Sequence, residues 1–321
     1  MTTIKASNNQ KKIVVVGSIN CDQTAYLERF PKINQTVFAK KSSLSVGGKG
    51  LNQAVSAASL GGNVSMVSCI GNDVFGEMAT VHLQRNQINQ EHIRITENVS
   101  TGSATIYVTE EGENMIAVTS GANNELSPID IEEKYSVIAD ADVLIVQLEV
   151  PIETVKMALQ VATEAKITTI LNPAPMSKNI TDLIKLSTVI TPNETEVEAL
   201  VGIYPKNEEM AALAALKLNE YGAREIIITM GDKGYYISSE KIKKLFPSFP
   251  VDVIDPTGAG DVFNGALAVA LANELSLEKS AQFASAAAAL SVTKRTAQGS
   301  APSWAQTIEF LRLNKIEFIT C

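Results

Sequence analysis

Short apolar runs rich in β-branched residues, separated by stretches of helical period, constrain this 321-residue chain more than any other feature. The runs at 12–17, 64–70, 143–148, 168–171, 188–190 and 225–230 are too short for helices and lack the polar alternation of a half-wet strand. Between them, 50–60, 75–86, 152–165 and 210–221 carry the apolar spacing of amphipathic helices. Strands alternating with helices predict an α/β fold: a central, mostly parallel sheet flanked by helices on both faces. Two segments break the rhythm. At 21–46 and 101–119, polar and apolar residues alternate among turn residues, which predicts antiparallel strands leaving the main sheet. They are read as a small β-sheet lid formed by about 20–46 and 101–119, or as ordinary edge hairpins. From Ala259 onward the pattern is almost all helical. No repeat or linker divides the chain, so a single domain over 1–321 is expected, with 1–11 as a flexible tail.

A formal charge of −8 argues against broad affinity for nucleic acid or anionic membrane, so an anionic ligand has to be held by backbone amides or a few placed cations. No run approaches the ~18 apolar residues that would span a bilayer. The first ten residues lack the apolar core of a secretion signal. Cys21, Cys69 and Cys321 are odd in number and far apart, which points to reduced thiols and a cytoplasmic location. The two histidines, His82 and His92, sit among polar neighbours as surface residues, so a histidine triad or multi-histidine metal site is hard to build.

The strongest chemical signal is DPTGAGD, from Asp255 to Asp261, opening an Ala/Leu-rich helix. Gly258 and Gly260 permit a tight turn, and the unpaired N–H groups of the helix start make such a turn an anion hole. Asp261 lies at its mouth, where a hydroxyl nucleophile would meet a base and a phosphoryl group together. It is expected to be ionised and only a weak base. A glycine turn capped by an aspartate is the bland alternative. Gly47-Gly48-Lys49-Gly50 opens another helix, but without the glycine spacing or Ser/Thr of a Walker A loop. Asn20 and Asp22 follow the first run and face one side of an extended chain, as two hydroxyl-gripping groups would, or else form an Asx turn. Asn193 and Glu196 can hold a hydrated Mg²⁺ near phosphates, or form a capping box, or both. Thr229-Met-Gly231-Asp232-Lys-Gly234 either cradles a nucleotide or closes a hairpin.

Taken in order, GSINCD, GGKGLNQA, TGSA, GENMI, SGAN, QLE, LNPAP, TPNETE, TMGDKG, DPTGAGD and SVTKRTAQGS resemble the ribokinase family of carbohydrate kinases, from Lys12 to about Leu313. DPTGAGD together with GGKG is the most specific part of that likeness. The resemblance implies a ribokinase-like fold and a Mg²⁺-ATP reaction on the 5-hydroxyl of D-ribose, giving D-ribose 5-phosphate. It implies that Asn20, Asp22, Gly48, Lys49, Gly50, Asn52 and Glu149 hold the sugar and that Asp261 is the base, with Gly258, Ala259 and Gly260 forming the anion hole. Asn193 and Glu196 match the Mg²⁺-phosphate motif. Thr229, Gly231, Asp232 and Gly234 match the nucleotide loop, with Gly260 and Ser285 beside the nucleotide. Asp255, Thr257, Ser291, Lys294, Thr296 and Ser300 match the site of an activating monovalent cation, usually K⁺. The two lid segments match the family's small sheet, which closes the sugar site and often makes a homodimer contact. Thr296 departs from the glycine common there. Cys21 replaces a small residue, and its side chain is expected to point away from Asn20 and Asp22.

A deoxyribose kinase is the nearest rival, because members using that sugar tend to carry an apolar residue where Asn20 stands. An unpaired buried asparagine would cost about 1–3 kcal/mol, so Asn20 favours ribose. Fructose, nucleoside and phosphofructose kinases of the family match GSIN-D less well. A nicotinamide oxidoreductase on an open parallel sheet would carry GxGxxG after the first strand, and none is there. A catalytically inactive sugar-binding regulator would have little reason to keep Asp261 and both glycines.

Overall fold

The computed structural model describes residues 11–177, 179–294 and 301–316. In chain order the strands are β1 (Lys12–Val16), β2 (Asn20–Tyr26), β3 (Lys41–Gly47), β4 (Asn63–Gly71), β5 (Ile93–Thr96), β6 (Gly102–Val108), β7 (Asn114–Thr119), β8 (Val143–Val146), β9 (Thr168–Leu171), β10 (Val189–Ile190), β11 (Glu225–Thr229), β12 (Tyr235–Ser238) and β13 (Lys243–Phe246). The helices are α1 (Lys49–Ser59), α2 (Val74–Arg85), α3 (Pro128–Glu133), α4 (Tyr135–Ala139), α5 (Ile152–Glu164), α6 (Thr181–Leu186), α7 (Glu194–Val201), α8 (Glu208–Glu220), α9 (Ala259–Ala272), α10 (Leu277–Ser291) and α11 (Trp304–Leu313).

A nine-stranded sheet runs in the order β13-β12-β11-β10-β9-β8-β1-β4-β5. From β5 to β11 every pairing is parallel, and β12 and β13 continue it antiparallel as a hairpin edge. Alternate residues of each strand feed two separate cores. Ile13, Val15, Val64, Met66, Val143 and Ile145 pack beneath α1, α2, α9, α10 and α11. Val14, Val16, Val67, Leu144 and Val146 pack beneath α3 to α8. Burial on both faces is why these strands are apolar throughout.

β2, β3, β6 and β7 form a second sheet in the order β3-β2-β6-β7. It is not wholly antiparallel, as the sequence pattern predicts, because β2 and β6 pair in parallel. The reason is topological: β2 and β6 each leave the carboxyl end of a main-sheet strand, β1 and β5, so both set out in the same direction. β3 and β7 then return antiparallel on the outside. The short β8 ends at Val146, before Gln147 and Leu148, because Gln147 turns its amide into a buried polar cluster described below.

Candidate active site

The residues singled out from the sequence gather at the carboxyl ends of the central parallel strands, where α1 and α9 begin. α9 starts from Gly258, whose φ of 78° is a left-handed conformation that disfavours a side chain. Upstream, the Asp255 carboxylate accepts from Thr257 N at 2.9 Å, and Ala259 N donates to Pro256 O at 3.2 Å. Ala259's N–H is thus engaged within the turn, and the first-turn donors left for an anion are those of Gly260 and Asp261. No side chain caps this end of the helix. A Cβ built at Gly260 would meet nothing within 4 Å, so open space lies directly against the turn.

Asp261 is only 8% exposed. Its carboxylate accepts from Asn52 Nδ2 at 3.1 Å and from Gln53 Nε2 at 3.0 Å. Burial pushes its pKa up, while the Lys49 ammonium and the two amides pull it back only partly. Desolvation thus makes Asp261 more basic than an exposed aspartate.

α1 brings Lys49, Asn52 and Gln53 to this point through close contact with the end of β1. A Cβ on Gly50 would lie 2.5 Å from Ser18 N and 2.7 Å from both Gly17 C and Ser18 O, so only glycine lets the two backbones meet. Leu51 N then donates to Ser18 O at 3.0 Å, fixing the helix on the strand end. Glu149, just beyond β8, accepts from Ser18 Oγ at 2.5 Å and from Lys49 N at 2.9 Å. Gly48 is the N-cap of α1.

Asn20 and Asp22 share one face of β2, and Cys21, fully buried, takes the other. Burial pushes the Cys21 thiol up to about 11, which makes it unreactive. Asn123, from the turn after β7, holds Asn20: it accepts from Ile19 N at 2.9 Å, and its Nδ2 donates to Ile19 O at 3.1 Å and to Asn20 Oδ1 at 2.7 Å. The Asp22 carboxyl lies across Gly47, where a Cβ would come within 2.4 Å of its Oδ2. Desolvation, and secondarily the charge of Glu149, raise Asp22 to about 6. Asn20, Asp22, Glu149, Lys49, Asn52 and Asp261 thus border one region between the small sheet and the start of α9.

Beyond Gly260 opens a cavity of about 720 Å³. Its walls include Asn193, Thr229, Gly231, Asp232, Gly234, Gly260 and Ser285 of the predicted nucleotide set. Phe249, Phe263, Ala288 and Val292 add apolar surface. The 229–234 segment is a hairpin turn between β11 and β12 that also lines this cavity. Asn193 and Glu196 form a capping box on α7, with Asn193 N donating to Glu196 Oε2 at 2.8 Å and Glu196 N to Asn193 Oδ1 at 2.9 Å. Asn193 Oδ1 also accepts from Thr195 Oγ1 at 2.8 Å, which fills its lone pairs. Glu196, raised chiefly by burial and within electrostatic reach of Lys49 and Asp261, keeps acceptor capacity.

Of the cation-site residues, Asp255 and Thr257 sit beside the end of α10 because Ile254 N and Asp255 N both donate to Val292 O, at 2.8 and 3.1 Å. Ser291 is buried there, and its carbonyl accepts from Lys294 N at 3.2 Å. Thr296 and Ser300 lie outside the described residues, as do 1–10 of the predicted tail and Cys321. Among the described residues no cluster of three or more His, Cys, Asp or Glu side chains could hold a metal by itself, and no helix is long and apolar enough to cross a membrane. His82 and His92 are half-buried rather than surface groups, and desolvation lowers both imidazoles.

Four amides that sequence reasoning did not single out, Gln53, Asn123, Gln147 and Asn172, turn out to be buried polar groups of the site. Their only sequence signal is a polar residue set in an apolar or glycine-rich context, as in QLE and LNPAP.

A buried carboxylate at an uncapped helix start, bordered by polar side chains and with a large cavity beyond the turn, suits phosphoryl transfer to a small molecule. Residues 10–304 match the family described as pfkB family carbohydrate kinase. The chain belongs to that family. It is 39% identical over 302 residues to the ribokinase of Haemophilus influenzae, covering 94% of this chain and 99% of that one. It is 34% identical over 304 residues to a deoxyribokinase of Salmonella typhi, covering 94% of this chain and 99% of that one. The structure of Arabidopsis thaliana ribokinase complexed with ribose and ATP superposes with a TM-score of 0.90 at 29% identity, over 95% of this chain and 99% of that one.

Proposed function

We propose that the chain transfers the γ-phosphoryl group of ATP to the 5-hydroxyl of D-ribose, with Asp261 as the base. The observation that carries this reading is the Asp261 carboxylate itself, desolvated and held by two amide donors beside the open turn at Gly260. Ribose lies beneath the small sheet, gripped by Asn20, Asp22, Lys49, Asn52 and Glu149. ATP lies in the cavity at Thr229–Gly234 and Ser285, with its γ-phosphate at the N–H groups of Gly260 and Asp261. The 5-hydroxyl gives its proton to Asp261 as its oxygen bonds to phosphorus. The bond from phosphorus to the bridging oxygen breaks, and ADP leaves. Mg²⁺, when bound, neutralises charge on the phosphates; Glu196, through water, is the residue suited to hold it. K⁺ is proposed beside Asp255, Thr257, Ser291 and Lys294, where it would steady the turn that leads to Gly258. The small sheet acts as the lid of a single-domain enzyme and as the homodimer contact, which its exposed apolar residues Ile116 and Val118 support. Buried free thiols at Cys21 and Cys69 favour the cytoplasm.

The test is coupled ADP release with D-ribose, 2-deoxyribose, D-fructose and adenosine, each with and without K⁺. Ribose should exceed 2-deoxyribose in kcat/KM by about fivefold or more, because an unmatched Asn20 costs at least ~1 kcal/mol, and K⁺ should raise the rate. Turnover confined to another acceptor would move the substrate; a K⁺-insensitive rate would remove the cation.

Asp22 supplies a pH prediction. A carboxyl raised to about 6 is ionised above that pH and neutral below it. Only the ionised form accepts from two sugar hydroxyls. Ribose KM should therefore rise as pH falls through about 6, with kcat less affected. Asp22→Asn should leave KM high and flat across that window. A KM break that persists in Asp22→Asn belongs to another group.

A further inference from the structure

Beneath Asp261 the buried amides form a directional relay. Asn172 Nδ2 donates to Thr191 O at 3.3 Å. A backbone carbonyl only accepts, so Asn172 must turn its nitrogen that way and present Oδ1 to the other side. That oxygen accepts from Gln53 Nε2 at 3.1 Å. The same Nε2 donates to Asp261 Oδ1 at 3.0 Å, and Gln53 Oε1 accepts from Gln147 Nε2 at 2.7 Å. Gln53 and Gln147 are fully buried.

One atom shows how firmly the direction is imposed. Gln147 Oε1 is buried with no hydrogen-bond partner among the described residues and lies against Gly17, where a Cβ would come within 2.1 Å of it. Leaving an acceptor unsatisfied costs about 1–3 kcal/mol. Reversing the Gln147 amide would not help, since its oxygen would then face Gln53 Oε1, acceptor against acceptor. The unpaired oxygen is thus the far end of a polarity set at Thr191. Its result is that Gln53 can offer Asp261 only a donor.

We infer that Gln53 is a positioning residue for phosphoryl transfer: with its donor edge fixed by Asn172 and Thr191, it ties down Asp261 Oδ1 and leaves Oδ2, touched by Asn52, to meet the sugar hydroxyl. The inference rests on the reading of Asp261 as the base. Gln53 touches no reacting atom. A donor to the ionised carboxylate also holds down the pKa that burial raises.

The test is the pH profile of kcat and ribose KM for Gln53→Glu, Gln53→Met and Asn172→Leu, with thermal unfolding as a check of folding. Gln53→Glu keeps the shape and an acceptor for Gln147 but sets a carboxyl oxygen against Asp261. Two carboxylates so close share a proton, and the acid limb of kcat should move up by about one pH unit or more. Gln53→Met removes the donor and should lower kcat by about 10–100-fold, with ribose KM within about threefold. Asn172→Leu, which leaves Gln53 untouched, should shift the limb in the same direction and serves if either Gln53 variant fails to fold. In an Asp261→Asn background, adding Gln53→Met should cost no further rate, because the group it positions is gone.

The inference is overturned if the acid limb stays in place in every folded variant, if the loss falls on KM alone, or if Gln53→Met costs as much in the Asp261→Asn background as in wild type. An Asp261→Asn enzyme that retains its rate would instead overturn the reading of Asp261, a separate outcome seen in that single variant.

Discussion

Asp261→Asn is expected to lower kcat by about 10²–10⁴-fold while ribose KM changes by less than about threefold. The substitution keeps the size of the side chain and one acceptor oxygen, so α9 and its packing should survive. It removes the carboxylate proposed to take a proton from the attacking hydroxyl. The asparagine amide would also meet two fixed donors, Asn52 Nδ2 and Gln53 Nε2, with only one acceptor to offer. Rate should therefore collapse while the sugar, gripped mainly by Asn20, Asp22 and Glu149, still binds. Steady-state kinetics with ribose varied at saturating ATP separate the two quantities. A variant keeping a tenth of wild-type kcat would exclude Asp261 as the base.

Gly50→Ala is expected to be nearly as damaging, through a clash of backbones rather than the loss of a side chain. Its Cβ would meet three backbone atoms of Gly17 and Ser18 within 2.7 Å, and backbone cannot swing aside as a long side chain does. α1 has to slide or tilt away from the end of β1, taking Lys49, Asn52 and Gln53 with it. Displacing reacting groups by about 1 Å costs on the order of 100-fold, so kcat/KM should fall by at least that much, through both kcat and KM. Asp261→Asn changes one parameter and Gly50→Ala changes both, a contrast that purified variants assayed side by side would show. Near-wild-type kinetics for Gly50→Ala would mean that the strand end and helix start move together without disturbing the site.

The central sheet is legible in the sequence because its strands are covered on both faces, so their apolar runs have no gaps. Less was legible where that condition fails. β5, with Ile95 exposed, and the edge strand β13 carry mixed residues and leave no comparable trace. The small sheet was recognisable as a break in rhythm, but the parallel pairing of β2 with β6 was not. That pairing depends on where β1 and β5 end in space, which local pattern does not record. At the site, residues on glycine turns announce themselves because such turns need special backbone. Gln53, Gln147 and Asn172 do not. Gln53 looks like an ordinary polar residue of an amphipathic helix, and it gains a role only when Asn172 and Asp261, far along the chain, close around it.

The two cores have a consequence for how the chain comes off the ribosome. The face of the sheet formed by Ile13, Val15, Val64, Met66, Val143 and Ile145 shares its core with α9 and α10, which are among the last segments made. The other face is closed by α3 to α8, all synthesised earlier. A nascent chain therefore carries that face only partly covered, by α1 and α2, until α9 and α10 follow. Asp261 arrives on the helix that covers that face. Completion of that core and arrival of Asp261, the proposed base, are thus one event.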